Sequence, residues 1–233
     1  MKVSIVVPAL NEEKCIEGTL KSLRAQEYAG RLELIVADGN STDKTVPIAK
    51  KYCDRIVTES TRTIAAGRQT GTRSAGGEVV LYTDADGRAD PHWAARMTRA
   101  FEDPNVVAAF GMIEPLDSGP LEHFALKYSV LAAAAVFNWL RLDYVYGNNM
   151  AVRKSVFEQV GGFDIYLVTG EDTDVMHRMR SRGKIVFVPD AKIYYSTRRI
   201  RKWGYWKYLS FHFMNFFKSH VFKKPARYYE PIR

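Results

Sequence analysis

The sequence predicts an α/β fold: a doubly wound, mostly parallel sheet with helices on both faces, followed by a C-terminal amphipathic helical tail. Three observations predict it. Apolar runs of strand length alternate with segments of helical spacing from residue 3 to residue 110. Polar loops (Pro8–Glu12, Asp38–Thr42 and Asp84–Asp86) follow three of the strand runs, and ligands of such sheets bind beyond the carboxyl ends of strands. The charge is uneven as well: residues 198–233 hold ten Lys and Arg against the single acid Glu230, so the tail carries the basic balance of a chain whose net charge is +8.

The elements follow in order. Val3–Val7 is an apolar strand run, and Glu12–Gln26 has helical spacing through Ile16, Leu20 and Leu23. Leu32–Val36 predicts a second strand, Asp43–Tyr52 a helix, Arg55–Thr58 a short strand and Ile64–Ala75 a helix of small residues. Val79–Thr83 predicts the next strand. Asp90-Pro91 reads as an N-cap with proline at the first helical position, opening a helix that ends at Phe101. Val106–Phe110 is another strand. The second half is less regular. Gly119–Leu140 predicts a helix whose apolar core, Val130–Leu140, falls short of the ~20 residues a bilayer span needs. A strand at Asn149–Val152, a short helix at Lys154–Val160, a turn at Gly161-Gly162, a helix at Asp172–Arg182 and strands at Ile185–Val188 and Ile193–Tyr195 follow.

Composition bounds the class. With 46% hydrophobic and 26% charged residues, the chain reads as a soluble globular protein able to bury a sizeable core. Cys15 and Cys53 form no CxxC pair, which suits a reducing compartment. The apolar run at the N-terminus is short and broken by Pro8, unlike a signal peptide. No GxGxxG and no P-loop occurs, so a nucleotide on this sheet is held by other means. Asn40-Ser41-Thr42 matches a glycosylation acceptor, but nothing else points to secretion.

Asp84 and Asp86 are the most informative pair. Residues two apart on an extended segment face the same way, about 7 Å apart. Two carboxylates at that distance repel by roughly 2.4 kcal/mol at an effective dielectric of ~20. The pair is therefore either solvated or accompanied by positive charge. A divalent cation carrying a phosphate is one answer and plain turn chemistry the other. Asn11 either binds ligand or caps a helix. Asp38, at the end of the second strand, is spare for a nucleobase or ribose, while Thr42 or Asp43 caps the helix that follows. Arg68, among small residues, either reaches a base or phosphate or is a solvated helix charge. The acids of Gly170-Glu171-Asp172-Thr173-Asp174 either serve chemistry or answer the helix dipole.

Taken together, SIVVPALNEE, IVADGNSTDKT, AAGRQTG, YTDADG, YGNNMAVRKSVFEQVGGFD and GEDTDVMHRM resemble the family 2 glycosyltransferases with the GT-A fold, in order from residue 3 to about residue 200. The resemblance implies inverting transfer of a sugar from a UDP- or GDP-linked donor. It implies that Pro8, Ala9, Asn11, Glu12, Asp38 and Arg68 line the donor site. Asp84 would touch the nucleotide, and Asp86 would hold Mg2+ or Mn2+ on the diphosphate. Asp172 would be the catalytic base, with Asn148, Asn149 and Glu171 bordering sugar and acceptor. It divides the chain into a donor half (1–112), an acceptor half (113–200) and a tail (201–233). Two departures stand out. The second strand ends Ala37-Asp38, where many members have two aspartates, and no QxxRW follows GEDTD, which favours single transfer over polymerisation. Rival readings are a nucleotidyltransferase, which lacks its triphosphate loop here, and a sugar-nucleotide-binding or lipid-scaffolding protein without chemistry, against which Asp86 and Asp172 argue.

The tail has its own signature. Residues 203–229 hold eleven of the chain's 29 aromatic residues beside most of its excess positive charge. That composition suits an anionic membrane surface. The expectation is a cytoplasmic protein, peripheral at the inner face of the membrane, near a lipid-linked acceptor. The alternative is that Trp203, Trp206, Leu209 and Phe213 pack on the body. No nucleic-acid-binding module is recognisable, so nucleic acid is not an expected partner.

Overall fold

The computed structural model describes residues 1–139, 145–208, 210, 211 and 214. Eight strands form one sheet: β1 (Lys2–Ala9), β2 (Arg31–Asp38), β3 (Arg55–Thr58), β4 (Val79–Tyr82), β5 (Arg88–Ala89), β6 (Val106–Pro115), β7 (Met150–Arg153) and β8 (Lys184–Tyr195), in the order β3-β2-β1-β4-β7-β6-β8-β5. Four of the seven pairings are parallel, and three are antiparallel, where β7 inserts between β4 and β6 and where β5 joins the far edge. The donor–acceptor division expected at residue 112 falls inside β6.

The sheet is apolar on both faces because each strand alternates. Val3, Ile5 and Val7 of β1, with Leu34, Val36, Val79 and Leu81, pack against Ile16, Leu20 and Leu23 of α1 (Ile16–Arg24), Ala49 of α2 (Thr45–Ala49) and Trp93, Ala94 and Met97 of α4 (Trp93–Arg99). The residues between them, Val6, Ile35, Val80 and Tyr82, face the other way. That second core takes Ala65 of α3 (Ile64–Ser74), Phe157 of α6 (Lys154–Gln159) and Val175, Met176 and Met179 of α7 (Glu171–Arg180). The longest helix, α5 (Pro120–Trp139), follows β6, and α8 (Arg198–Trp203) follows β8. Among the described residues no helix is long and apolar enough to cross a membrane.

Small residues on α3 let it lie close to β1. A Cβ on Gly71 would sit 2.3 Å from Cγ1 of Val6, and one on Gly67 2.9 Å from Cβ of Pro8. That close approach brings Arg68, between them, beneath the ends of the strands.

Several elements differ from expectation for local reasons. The fourth helix begins at Trp93, because the Asp90 carboxylate accepts from the His92 amide (3.0 Å) and holds a turn there instead of capping a helix. Asp43 accepts from the Thr45 amide (2.9 Å) and starts α2 there, leaving it five residues long. The two strand runs expected at 185–188 and 193–195 are one strand: opposite Gly111 and Met112 of β6 the register jumps from Val188 to Lys192. The slip frees backbone carbonyls, and the Asn149 side chain answers them. Its amide nitrogen donates to the carbonyls of Met112 (2.7 Å) and Ala191 (2.9 Å), while its oxygen accepts from Trp93 Nε1 (2.8 Å). Asn149 is 0% exposed and is not on the wall of the cavity at the strand ends. It is therefore a structural pin and does not border the sugar as the sequence suggested.

Replacing Asn149 with Ala leaves the Trp93 donor and two buried carbonyls without partners. Stability is expected to fall by roughly 2–4 kcal/mol, measured as a lower urea midpoint at unchanged m-value.

Candidate active site

A cavity of about 310 Å³ opens beyond the carboxyl ends of β1, β2 and β4. Pro8, Ala9 and Glu12 from the loop after β1, Asp84 and Asp86 from the loop after β4, and Asn148 before β7 all line it. The strand expected at Val79–Thr83 stops at Tyr82, and Asp84 and Asp86 follow it in the loop before β5, from which both reach the same cavity. Four acids (Glu12, Glu59, Asp84 and Asp86) and three arginines (Arg62, Arg198 and Arg199) share its walls.

Each aspartate has its own guanidinium. Arg68 Nη2 donates to Asp84 Oδ1 at 3.0 Å, and its Nη1 donates to Glu171 Oε1 at 2.6 Å. Arg68 is 2% exposed. Burial acts against its charge, but Asp84, Glu171 and Asp172 outweigh that and raise its pKa. Arg68 is thus neither a solvated helix charge nor a lining residue of the cavity; it ties the turn after β4 to the first turn of α7. Arg198, at the start of α8, grips Glu12 with both terminal nitrogens (2.7 and 2.8 Å) and forms an ion pair with Asp86, Nε to Oδ2, at 2.9 Å. Burial opposes the charge on Arg198 too, and Glu12 and Asp86 overcome it. Burial pushes the Asp86 carboxyl up to about 6, with Arg198 pulling the other way.

Asp172 stands next to Glu171. Its Oδ2 accepts from the Gly147 amide (2.9 Å) and its Oδ1 from the Thr173 amide (2.7 Å). A Cβ on Gly147 would lie 2.4 Å from Arg68 Nη1 and 2.8 Å from Asp172 Oδ2, so only glycine lets the backbone come between them. Gly170, with φ of 76°, turns the chain into α7 in the left-handed region. Asp172 is half-buried and is not on the cavity wall; its bond to the Gly147 amide links it to Asn148, the next residue, which does line the cavity. Burial raises the Asp172 carboxyl above its usual range. It also pushes Glu171 up to about 7, with Asp172 adding to the shift.

Two predicted donor residues lie just outside the cavity. Asn11, at φ 55°, accepts from the Thr42 amide (2.8 Å) and donates its own amide to Ser41 Oγ (2.9 Å), locking two loops together. It caps no helix. Asp38 is 3% exposed; Oδ2 accepts from the Ser41 amide (3.1 Å), and Oδ1 is a buried oxygen with no partner among the described residues. Sequence reading missed Glu59, Arg62 and Tyr195 of the cavity wall. They follow or end strands whose own patterns carry no chemical signal.

Carboxylates and arginines are thus gathered beyond the strand ends of a doubly wound sheet, where ligands of such sheets bind. Residues 4–223 match the model of Glycosyl transferase family 2, and the chain belongs to that family. Among curated relatives, the probable glycosyltransferase YdaM of Bacillus subtilis is 28% identical over 208 residues, 82% of this chain and 49% of that protein. The succinoglycan biosynthesis protein ExoA of Rhizobium meliloti is 26% identical over 246 residues, 92% of this chain and 70% of that one. The chain thus spans about half the length of the first and more of the second. S. aureus TarS in complex with UDP superposes with a TM-score of 0.65 at 22% identity, covering 84% of this chain and 60% of that one. The mannosyltransferase PcManGT from Pyrobaculum calidifontis, in complex with GDP-Man and Mn2+, gives 0.71 at 22% identity, covering 97% and 65%. These likenesses establish the GT-A fold.

The raised Glu171 carboxyl makes a stability prediction. Folded, it holds its proton up to about 7; unfolded, it releases it near the ordinary value of 4.5. The folded state therefore binds more protons between those values, and stability falls as pH rises through that window. Glu171→Gln keeps an acceptor for Arg68 and is expected to flatten this dependence, measured as urea midpoints at pH 5, 6 and 7.

Proposed function

We propose that the protein is an inverting glycosyltransferase that moves a sugar from a nucleoside diphosphate sugar, UDP- or GDP-linked, to an acceptor hydroxyl. The observation that carries this is the joining of Asp84, on the cavity wall, to the Glu171-Asp172 pair through the buried Arg68. Donor-binding and proton-accepting groups then meet at one sheet edge.

The donor lies along the strand ends. The unpartnered Oδ1 of Asp38 suits an N–H of the nucleobase. Asp84 faces the nucleotide and Asp86 the diphosphate. Among the described residues no three acidic, His or Cys side chains converge as a metal cage. Asp86 nevertheless fits Mg2+ or Mn2+, because such ions are held through one or two carboxylates plus substrate phosphates. When bound there, the ion supplies a Lewis acid that neutralises charge on the departing diphosphate. Arg198 lies on the same carboxylate and is placed to add its own charge to the diphosphate oxygens once it releases Asp86.

Asp172 takes the proton of the acceptor hydroxyl as that oxygen attacks the anomeric carbon from the face opposite the diphosphate, which inverts the configuration. Its raised pKa makes it a stronger base than an exposed aspartate, and the Gly147 amide fixes its orientation. Asn148 borders the sugar from the cavity wall. Asp172→Asn is expected to keep nucleoside diphosphate affinity and lose about 10²–10⁴-fold in transfer. Turnover near that of the wild type would remove Asp172 as the base.

The acceptor is proposed to be lipid-linked, with the protein at the inner face of a membrane. Leu121, Phe124 and Tyr128 of α5 are 83, 59 and 51% exposed, and Trp206 is 87% exposed. The Tyr205 hydroxyl donates to Glu122, which joins the chain after α8 to the start of α5. Exposed apolar rings beside Arg199, Arg201, Lys202 and Lys207 support an anionic surface as partner. Of the tail residues expected to act there or to pack on the body, Leu209, Phe213 and 215–233 lie outside the described residues. Sedimentation with vesicles containing phosphatidylglycerol is expected to carry the protein down and to be lost at high salt. Failure to sediment with such vesicles at low salt would contradict the membrane reading.

A further inference from the structure

Where the cavity meets the ends of β2 and β3, the Glu59 carboxylate lines its wall, next to the Asp38 that lies just outside it. Asp38 and Thr58 are paired at the ends of these strands, and the Glu59 amide donates to the Asp38 carbonyl at 2.9 Å. Glu59 is 8% exposed and lines the cavity. Its Oε2 accepts from the Arg62 amide (2.9 Å), and its Oε1 lies 3.1 Å from where a Cβ on Gly39 would stand. The same point is 3.5 Å from Cβ of Leu10 and 3.6 Å from the Ala9 carbonyl, so the loops after β1, β2 and β3 converge there. The surroundings are thus the side chains of Ala9, Leu10 and Ala37, the Glu59 carboxylate on the wall, and Arg62 at the rim, with the buried, unpartnered Oδ1 of Asp38 just behind the wall.

We infer that this end of the cavity selects guanine, with Glu59 as the residue that discriminates against uracil. The inference rests on the nucleotide-sugar reading above. Ionised carboxylates accept hydrogen bonds and donate none. Guanine sets two adjacent donors, N1–H and the N2 amino group, on one edge, and its O6 beside them is an acceptor suited to Arg62. Uracil has a single donor, N3–H, flanked on both sides by carbonyl oxygens. One carboxylate satisfies that donor. A second carboxylate beside the first then faces a carbonyl, with like partial charges opposed and no hydrogen bond made. Adenine and cytosine each present one amino group next to a ring acceptor and meet the same mismatch. Sites built to pair with a particular donor reject analogues that lack it, because the buried polar groups are left unpaired.

The test is equilibrium binding of GDP, UDP, ADP and CDP to the whole chain by calorimetry with Mn2+ present, repeated with Glu59→Gln. GDP is expected to bind at least about tenfold more tightly than UDP, and Glu59→Gln to narrow that ratio chiefly by weakening GDP. The amide keeps the size of the side chain and an acceptor for the Arg62 N–H. If the variant does not fold, the wild-type ratio alone decides. UDP binding as tightly as GDP overturns the assignment of guanine and leaves the glycosyltransferase reading standing. A GDP preference unchanged in folded Glu59→Gln overturns the role of Glu59. Binding of none of the four overturns the nucleotide-sugar reading itself and this inference with it.

Discussion

A single buried guanidinium organises the site. Arg68 joins Asp84, at the end of a central strand, to Glu171, at the start of a helix on the opposite half of the sheet. With either acid removed, Arg68 would be a buried charge short of a partner; with Arg68 removed, three carboxylates would face one another in a poorly hydrated space. Losing one partner of such a network typically costs about 3–5 kcal/mol. The demand propagates outward. Arg68 reaches this depth only because Gly67 and Gly71 let α3 press against β1, and Gly147 must lack a side chain where the backbone passes between Arg68 and Asp172. The same contact that ties down the helix turn of the proposed base also fixes the aspartate proposed to face the donor.

Arg198 provides a second clasp of different character. It is only partly buried, it holds Glu12 and Asp86 on the cavity wall, and it belongs to a short helix beyond the last strand. The two arginines divide the two aspartates between them: Asp84 is held from within by the core, and Asp86 from above by the tail side. The repulsion that the sequence predicts for this acidic pair is thus answered by separate cations. The inner clasp is structural. The outer one involves the carboxylate proposed to hold a diphosphate-bound ion, so on that proposal donor entry and the position of α8 bear on the same side chain.

Much of the fold was legible because strand periodicity and turn chemistry are local. Arg55–Thr58 has its expected limits, and the alternation of Val3, Ile5 and Val7 against Val6 sorts residues to the two faces as a period of two requires. The acidic turn Asp84–Asp86 and the Glu171-Asp172 pair were legible as candidates because acids at strand ends and helix starts carry a pattern, and the structure joins Asp84 to Glu171 through Arg68. What stayed hidden depends on contacts distant in sequence. Nothing near Asn149 shows that β8 slips register opposite Gly111, so its amide looked available for sugar. Nothing in a run of small residues shows that Arg68 points inward. Glu59 and the two-residue β5 have no periodicity of their own, and Asp90 has the sequence of a helix cap but spends its carboxylate on a turn.

The central claim is that the cavity beyond β1, β2 and β4 holds a nucleoside diphosphate with its base toward Asp38 and its phosphates toward Asp86. A crystal structure grown with a nucleoside diphosphate and Mn2+ tests this most directly. The account predicts density for the base against Asp38 and for the diphosphate and metal at Asp86, with Arg198 moved onto phosphate oxygen and the Arg68–Asp84–Glu171 contacts unchanged. A nucleotide bound elsewhere, or one bound here in the reverse direction with its phosphates at Asp38, would contradict it.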